Sequence, residues 1–110
     1  MNDQVKVITL SSSFNTNDLQ EFQQTIQTVI SSGIKTVLVD CQGITFMDSS
    51  GLGTLVLTFK TLQEADIKMV LCSINEQVRM LFELTGMDSI FTIIPSKDAF
   101  NNLSLSATLS

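Results

Sequence analysis

The sequence predicts an α/β domain: a mainly parallel four-stranded sheet with alternating helices. Three observations carry that prediction. Short runs of branched and aliphatic residues alternate with segments whose apolar residues recur at helical spacing, in the order β-α-β-α-β-α-β-α. Every connection is long enough to hold a helix, as a parallel return requires. The 110 residues, 44% hydrophobic and 15% charged, suffice for one core and are too few for two domains of the usual size.

The elements follow in order. Residues 5–10 (VKVITL) read as a strand, ended by the polar run from Ser11 to Asn17. Leu19, Phe22, Ile26, Val29 and Ile30 keep helical spacing, with Asn15 or Asn17 as N-cap and Gly33 as the stop. Residues 36–41 form a second strand, apolar in its middle as expected of a strand covered on both faces. Leu52, Leu55, Val56, Phe59 and Leu62 place a second helix over about residues 50–64. A third strand spans residues 68–74. The third helix begins at Asn75 and Glu76, turns Val78, Leu81, Phe82 and Leu84 inward, and ends at Gly86. Residues 90–94 give a fourth strand, and Ser96 to Asp98 cap a last short helix containing Ala99, Phe100 and Leu103. The domain is expected to span residues 1–103, with residues 104–110 a fraying tail. In open sheets of this class ligands and partners meet the edge beyond the carboxyl ends of the strands. The loops at residues 11–17, 42–49 and 73–76 converge there.

Composition excludes several functions. Six Lys and Arg against eleven Asp and Glu leave a net charge of −5, with no basic stripe to neutralise a phosphate backbone, so no direct nucleic-acid partner is expected. No apolar run approaches the roughly 20 residues that cross a bilayer, and no basic, apolar leader opens the chain. The expectation is a soluble, cytoplasmic protein without membrane insertion. The chain has no histidine, which removes Ser-His-Asp and Cys-His catalysis and the usual zinc sites together. Cys41 and Cys72 each close an aliphatic run and read as buried thiols. No catalytic residue, metal or cofactor is expected.

The stretch FMDSSGLG, residues 46–53, is where chemistry remains. As a plain helix start, Asp48 or Ser49 would accept from the free amides of the first turn. Two glycines so early in a helix cost up to about 1 kcal/mol each relative to Ala, which close packing or an exposed backbone must offset. A serine-hydrolase elbow fails because Met47 holds the first glycine position and no base exists. A dinucleotide loop fails at Val56, and a P-loop lacks its Gly-Lys. A receiver-type phospho-acceptor needs an acidic pair where Ser11, Ser12 and Ser13 stand. A hydroxyl displayed at a helix N-terminus is left, and a phosphate added to Ser49 would face the positive end of the helix dipole.

Residues 46–53 resemble the phosphorylation-site motif of STAS domains of bacterial anti-sigma factor antagonists. Residues 78–94 (VRMLFELTGMDSIFTII) resemble that family's C-terminal signature, and the similarity covers roughly residues 5–100. The resemblance implies a STAS-like (SpoIIAA-like) single domain that is no enzyme but the substrate of two. Its unphosphorylated form would bind an anti-sigma factor that is also a serine kinase of the histidine-kinase-like ATPase fold, freeing a sigma factor. Phosphorylation of Ser49 would release it, and a PP2C-type phosphatase would reverse the step. The residues carried over to partner binding are Asp48, Ser50, Gly51, Leu52, Asn15 and Asn75. Ser12 and Asn15 stand where the family often has glycine and aspartate, and the family's extra N-terminal strand has only residues 1–4 to form it. A monomer and a weak dimer through the first-strand edge both fit. Two other readings stay open: a non-switching STAS scaffold of a sensory complex or soluble transporter subunit, and a small nucleotide-binding domain using Gly51 and Gly53, for which no lysine lies in the loop.

Overall fold

The computed structural model describes residues 5–10, 16–96 and 98–99. Along the chain run β1 (Val5–Thr9), α1 (Thr16–Ser31), β2 (Thr36–Asp40), α2 (Ser49–Glu64), β3 (Lys68–Cys72), α3 (Glu76–Thr85), a 3-10 turn at Met87–Ser89 and β4 (Thr92–Ile94). The strands lie in the order β1-β2-β3-β4, and every pair is parallel. This is the predicted sheet.

Strand order decides where the helices go. When consecutive parallel strands are neighbours and each crossover is right-handed, all crossovers fall on one face. The side chains agree: Phe22, Ile26 and Val29 of α1, Leu52, Leu55 and Leu62 of α2, and Val78 and Phe82 of α3 share one buried cluster with Val37, Val39, Met69 and Leu71. The register alternates faces, so Leu38, Val70, Cys72 and Ile94 point the other way and form a second cluster, against which Val5 and Ala99 pack. Both faces of the central strands are therefore dry. That is why β2 and β3 read as continuous apolar runs instead of alternating ones.

Helix ends follow their sequence signals. Asn75 caps α3, its side chain accepting from the Val78 amide at 2.9 Å, and Gly86 closes the helix in the left-handed region at φ 77°. Gly33, at φ 84°, plays the same part after α1. Asn17 lies inside α1 and so is not its cap, and Asn15 falls outside the described residues. The Ser96 hydroxyl accepts from the Ala99 amide at 3.2 Å, and Asp98 and Ala99 are helical. Phe100 and Leu103 of the expected last helix lie outside the described residues.

Three expectations are corrected. The third strand stops at Cys72, not residue 74, because Ser73 adopts φ 61°, which ends the extended backbone. The fourth strand loses Ile90 and Phe91: both amides donate to the Met87 carbonyl, at 3.1 and 3.2 Å, and are spent on the turn. Phe91 instead buries its ring against Phe82 and Phe59, centroids 5.3 and 5.9 Å away. Leu84 is 83% exposed, since two residues along a helix is a rotation of about 200° from the inward Phe82.

Candidate functional site

The loop between β2 and α2 is anchored at both ends. The Cys41 amide donates to the Cys72 carbonyl at 3.0 Å, and the Gln42 amide to the carboxylate of buried Asp40 at 3.0 Å. Ile44 then turns back onto the Cys41 carbonyl at 2.9 Å. Gly43 passes so close to β1 that a Cβ there would sit 2.8 Å from the Leu10 carbonyl oxygen. Only glycine fits without a shift. Burial pushes the Cys41 thiol up to about 12, with Cys72 and Asp40 adding to it, so this cysteine beside the loop is no nucleophile at neutral pH.

Residues 44–47 are held from the side by the start of α3. The Asn75 amide group donates to the carbonyls of Ile44 and Thr45 at 3.0 and 3.1 Å while its oxygen caps the helix. Gln77 grips Met47 twice, accepting from its amide at 2.9 Å and donating to its carbonyl at 3.0 Å. The Met47 side chain is 2% exposed, whereas the preceding Phe46 is 58% exposed. Two of the three loops expected at this edge are thus brought together. The third lies at residues 11–15, outside the described residues, and Asn15 with it.

Asp48 is the N-cap of α2. Its backbone is extended at φ −108° and ψ −174°, and its carboxylate accepts from the Gly51 amide at 3.0 Å. Ser49 and Ser50 are the first two helical residues, and both are exposed, as is Asp48. Gly51 and Leu52 are buried and support the turn from beneath. Gly53 is exposed, and a Cβ on it would meet nothing within 4 Å. Close packing therefore does not explain Gly53, and bare backbone on the surface does. Ser49, Gly53 and Leu57 recur every four residues and share one side of α2, with Leu57 57% exposed.

Sequence reasoning missed Gln77, Gly43 and Leu57, and for Gly53 it left close packing and exposed backbone both open. Leu57 left a signal, since it is apolar yet out of phase with the buried stripe of α2. Beside it, α1 and α2 enclose an open groove of about 470 Å³, walled by Gln20, Gln23, Gln24 and Gln27 with Leu57 and Thr61. Among the described residues that line it, none is charged. Among the described residues no three His, Cys, Asp or Glu side chains gather as metal ligands, and no helix is long and apolar enough to cross a membrane.

Four parallel strands in sequential order, one helical layer, and a capped hydroxyl-bearing helix start on the strand-end edge define a small α/β domain. The chain belongs to the STAS domain family, whose model matches residues 1–100. BtrV of Bordetella bronchiseptica is 26% identical over 97 residues, 88% of this chain and 84% of that one. The anti-sigma-B factor antagonist of Staphylococcus aureus is 26% identical over 73 residues, 66% of this chain and 68% of its own. Among solved structures, the anti-sigma factor antagonist SpoIIAA in its unphosphorylated form superposes with a TM-score of 0.73 at 19% identity, over 94% of this chain and 93% of that one. The STAS domain of a Vibrio cholerae SulP transporter reaches 0.82 at 15% identity, over 98% and 86%. These likenesses establish a SpoIIAA-like α/β fold with a four-stranded parallel sheet and three helices.

Proposed function

We propose that this chain is an anti-sigma factor antagonist working as a phosphorylation-controlled partner switch, with Ser49 the acceptor. The observation that carries the reading is an exposed serine at the first position of α2, directly after an Asp48 cap, on a loop fastened to the core. Unmodified, the surface formed by Asp48, Ser49, Ser50, Gly53 and Leu57 docks on an anti-sigma factor that is also an ATP-dependent serine kinase. A PP2C-type phosphatase resets it. Asn75 serves this surface from behind by holding residues 44 and 45, while Asn15, outside the described residues, is carried over to partner binding by the family resemblance alone.

The electrostatics favour release without unfolding. A phosphoserine brings about −1.5 to −2 charges. For a charge separation taken as about 6 Å, repulsion from Asp48 is on the order of 1.4 kcal/mol in water and roughly 5 kcal/mol at an effective dielectric of about 20. The helix dipole returns at most about 2 kcal/mol. Because Ser49 is exposed, the free domain tolerates the balance. Under a partner, the same group adds volume and desolvated charge, and a loss of several kcal/mol is about a thousandfold in affinity.

The test is incubation with the candidate kinase and ATP, then peptide mass spectrometry. Label on Ser49 is expected, Ser49→Ala should bind without being released, and Ser49→Asp should fail to bind. Label on Ser50 alone, or full-strength binding by Ser49→Asp, sinks the assignment. A second reading, a soluble scaffold of a transporter, draws on the TM-score of 0.82 to the SulP domain. Stable co-purification with a membrane transporter irrespective of Ser49 phosphorylation would favour it.

A further inference from the structure

The phosphate chemistry at Ser49 makes no use of Gln77, yet Gln77 spans 30 positions of sequence to reach the loop before it. We propose that Gln77 is a positioning residue that fixes the one conformation in which residues 46–49 are presented to the kinase. This rests on the reading of Ser49 as phospho-acceptor.

The geometry is specific. A carboxamide carries a donor and an acceptor in one plane, and Gln77 uses both on a single peptide residue, the Met47 amide at 2.9 Å and the Met47 carbonyl at 3.0 Å. It acts as one rung of a sheet where no strand exists. Gln77 is not needed to start α3, because the Asn75 oxygen already caps that helix at the Val78 amide. Only Asp48 separates the gripped residue from Ser49; its backbone is extended and its carboxylate accepts from the Gly51 amide. The hydroxyl is therefore carried on a short span fixed at both ends. Ordering the loop before encounter removes an entropy cost from docking.

The test variant is Gln77→Met, which keeps side-chain length and helix propensity but removes both hydrogen-bonding groups. Phosphate transfer from labelled ATP by the kinase that modifies wild-type Ser49 should fall about tenfold in kcat/KM, as expected for two modest hydrogen bonds lost. The loss should lie in KM, with kcat nearly unchanged and the circular dichroism spectrum native. A residue that merely packs would be replaced by Met without effect. Equal kcat/KM in folded Gln77→Met overturns the proposal. Amide exchange in the wild-type chain tests it without any variant: the Met47 amide should be protected at least about tenfold over an open loop, and exchange at the open-loop rate overturns it as well. If the wild type takes no label at Ser49, the kinase reading falls and the presenting role with it, while a protected Met47 amide still reports the clamp; the two failures are therefore told apart.

Discussion

Replacing Gly53 with alanine should make this domain more stable and a poorer partner. Gly53 lies in the second turn of α2, its φ is not in the positive range, and the added methyl would meet nothing within 4 Å. No clash opposes the change. Alanine is favoured over glycine in a helix interior by about 0.8–1.0 kcal/mol, chiefly because less backbone freedom is lost on folding. For a chain of 110 residues that corresponds to a rise of about 4 °C in Tm. The assay is thermal unfolding by circular dichroism, with a urea titration to show that the slope m is unchanged. The same methyl stands one helical turn from Ser49, on the surface proposed to meet the kinase, so Gly53→Ala should bind it several-fold more weakly. A variant no more stable than the wild type would refute the reasoning about exposed backbone. Higher stability with undiminished binding would remove Gly53 from the docking surface.

Gly43→Ala should do the reverse. Its Cβ would stand 2.8 Å from the Leu10 carbonyl oxygen, so a drop of about 1–3 kcal/mol in unfolding free energy is expected, read from the same urea curves. Phe46→Ala should leave Tm within about a degree, since the ring is 58% exposed, yet weaken kinase binding at least tenfold by titration calorimetry, as truncation of an aromatic anchor does. The Cys41 thiol is raised in the folded chain from 9.0 to about 12, so the native protein holds that proton more tightly than the unfolded one. Its stability contribution is complete below pH 9 and is lost as the pH rises from there towards about 12, so urea midpoints should fall between pH 8 and 10.5. Iodoacetamide should leave Cys41 unlabelled at pH 8.5 until urea unfolds the chain.

What the sequence made legible was whatever burial writes in a repeating pattern. The apolar middles of β2 and β3 and the stripe from Leu52 to Leu62 follow from a sheet dry on both faces and a helix dry on one. Gly33 and Gly86 were readable as stops because only glycine enters the left-handed region freely. Ser73 was not, because a serine at positive φ carries no mark distinguishing it from a strand residue. Ile90 and Phe91 misled for a related cause: aromatic and branched residues are favoured in strands, but here the Met87 carbonyl had taken their amides. At the site, Asp48 and Asn75 were visible because caps sit at a fixed offset from the helices they begin. Gln77 was hidden because its contacts cross from α3 to a distant loop, and a glutamine near a helix start looks the same whether it meets water or Met47.

Met47 is pinned by its side chain in the core and by both its backbone groups on Gln77, and this limits how the phosphate proposed at Ser49 could act on the rest of the domain. With Met47 clamped between Ser49 and the sheet, a phosphate on Ser49 has little to push. The message is then a change of surface, like ink on a stamp, and not a change of shape passed inward. Such a domain should give nearly identical backbone chemical shifts in both states beyond the first turn of α2. Mutations in its core would alter how long the molecule lasts, and mutations around residues 46–57 would alter whom it addresses.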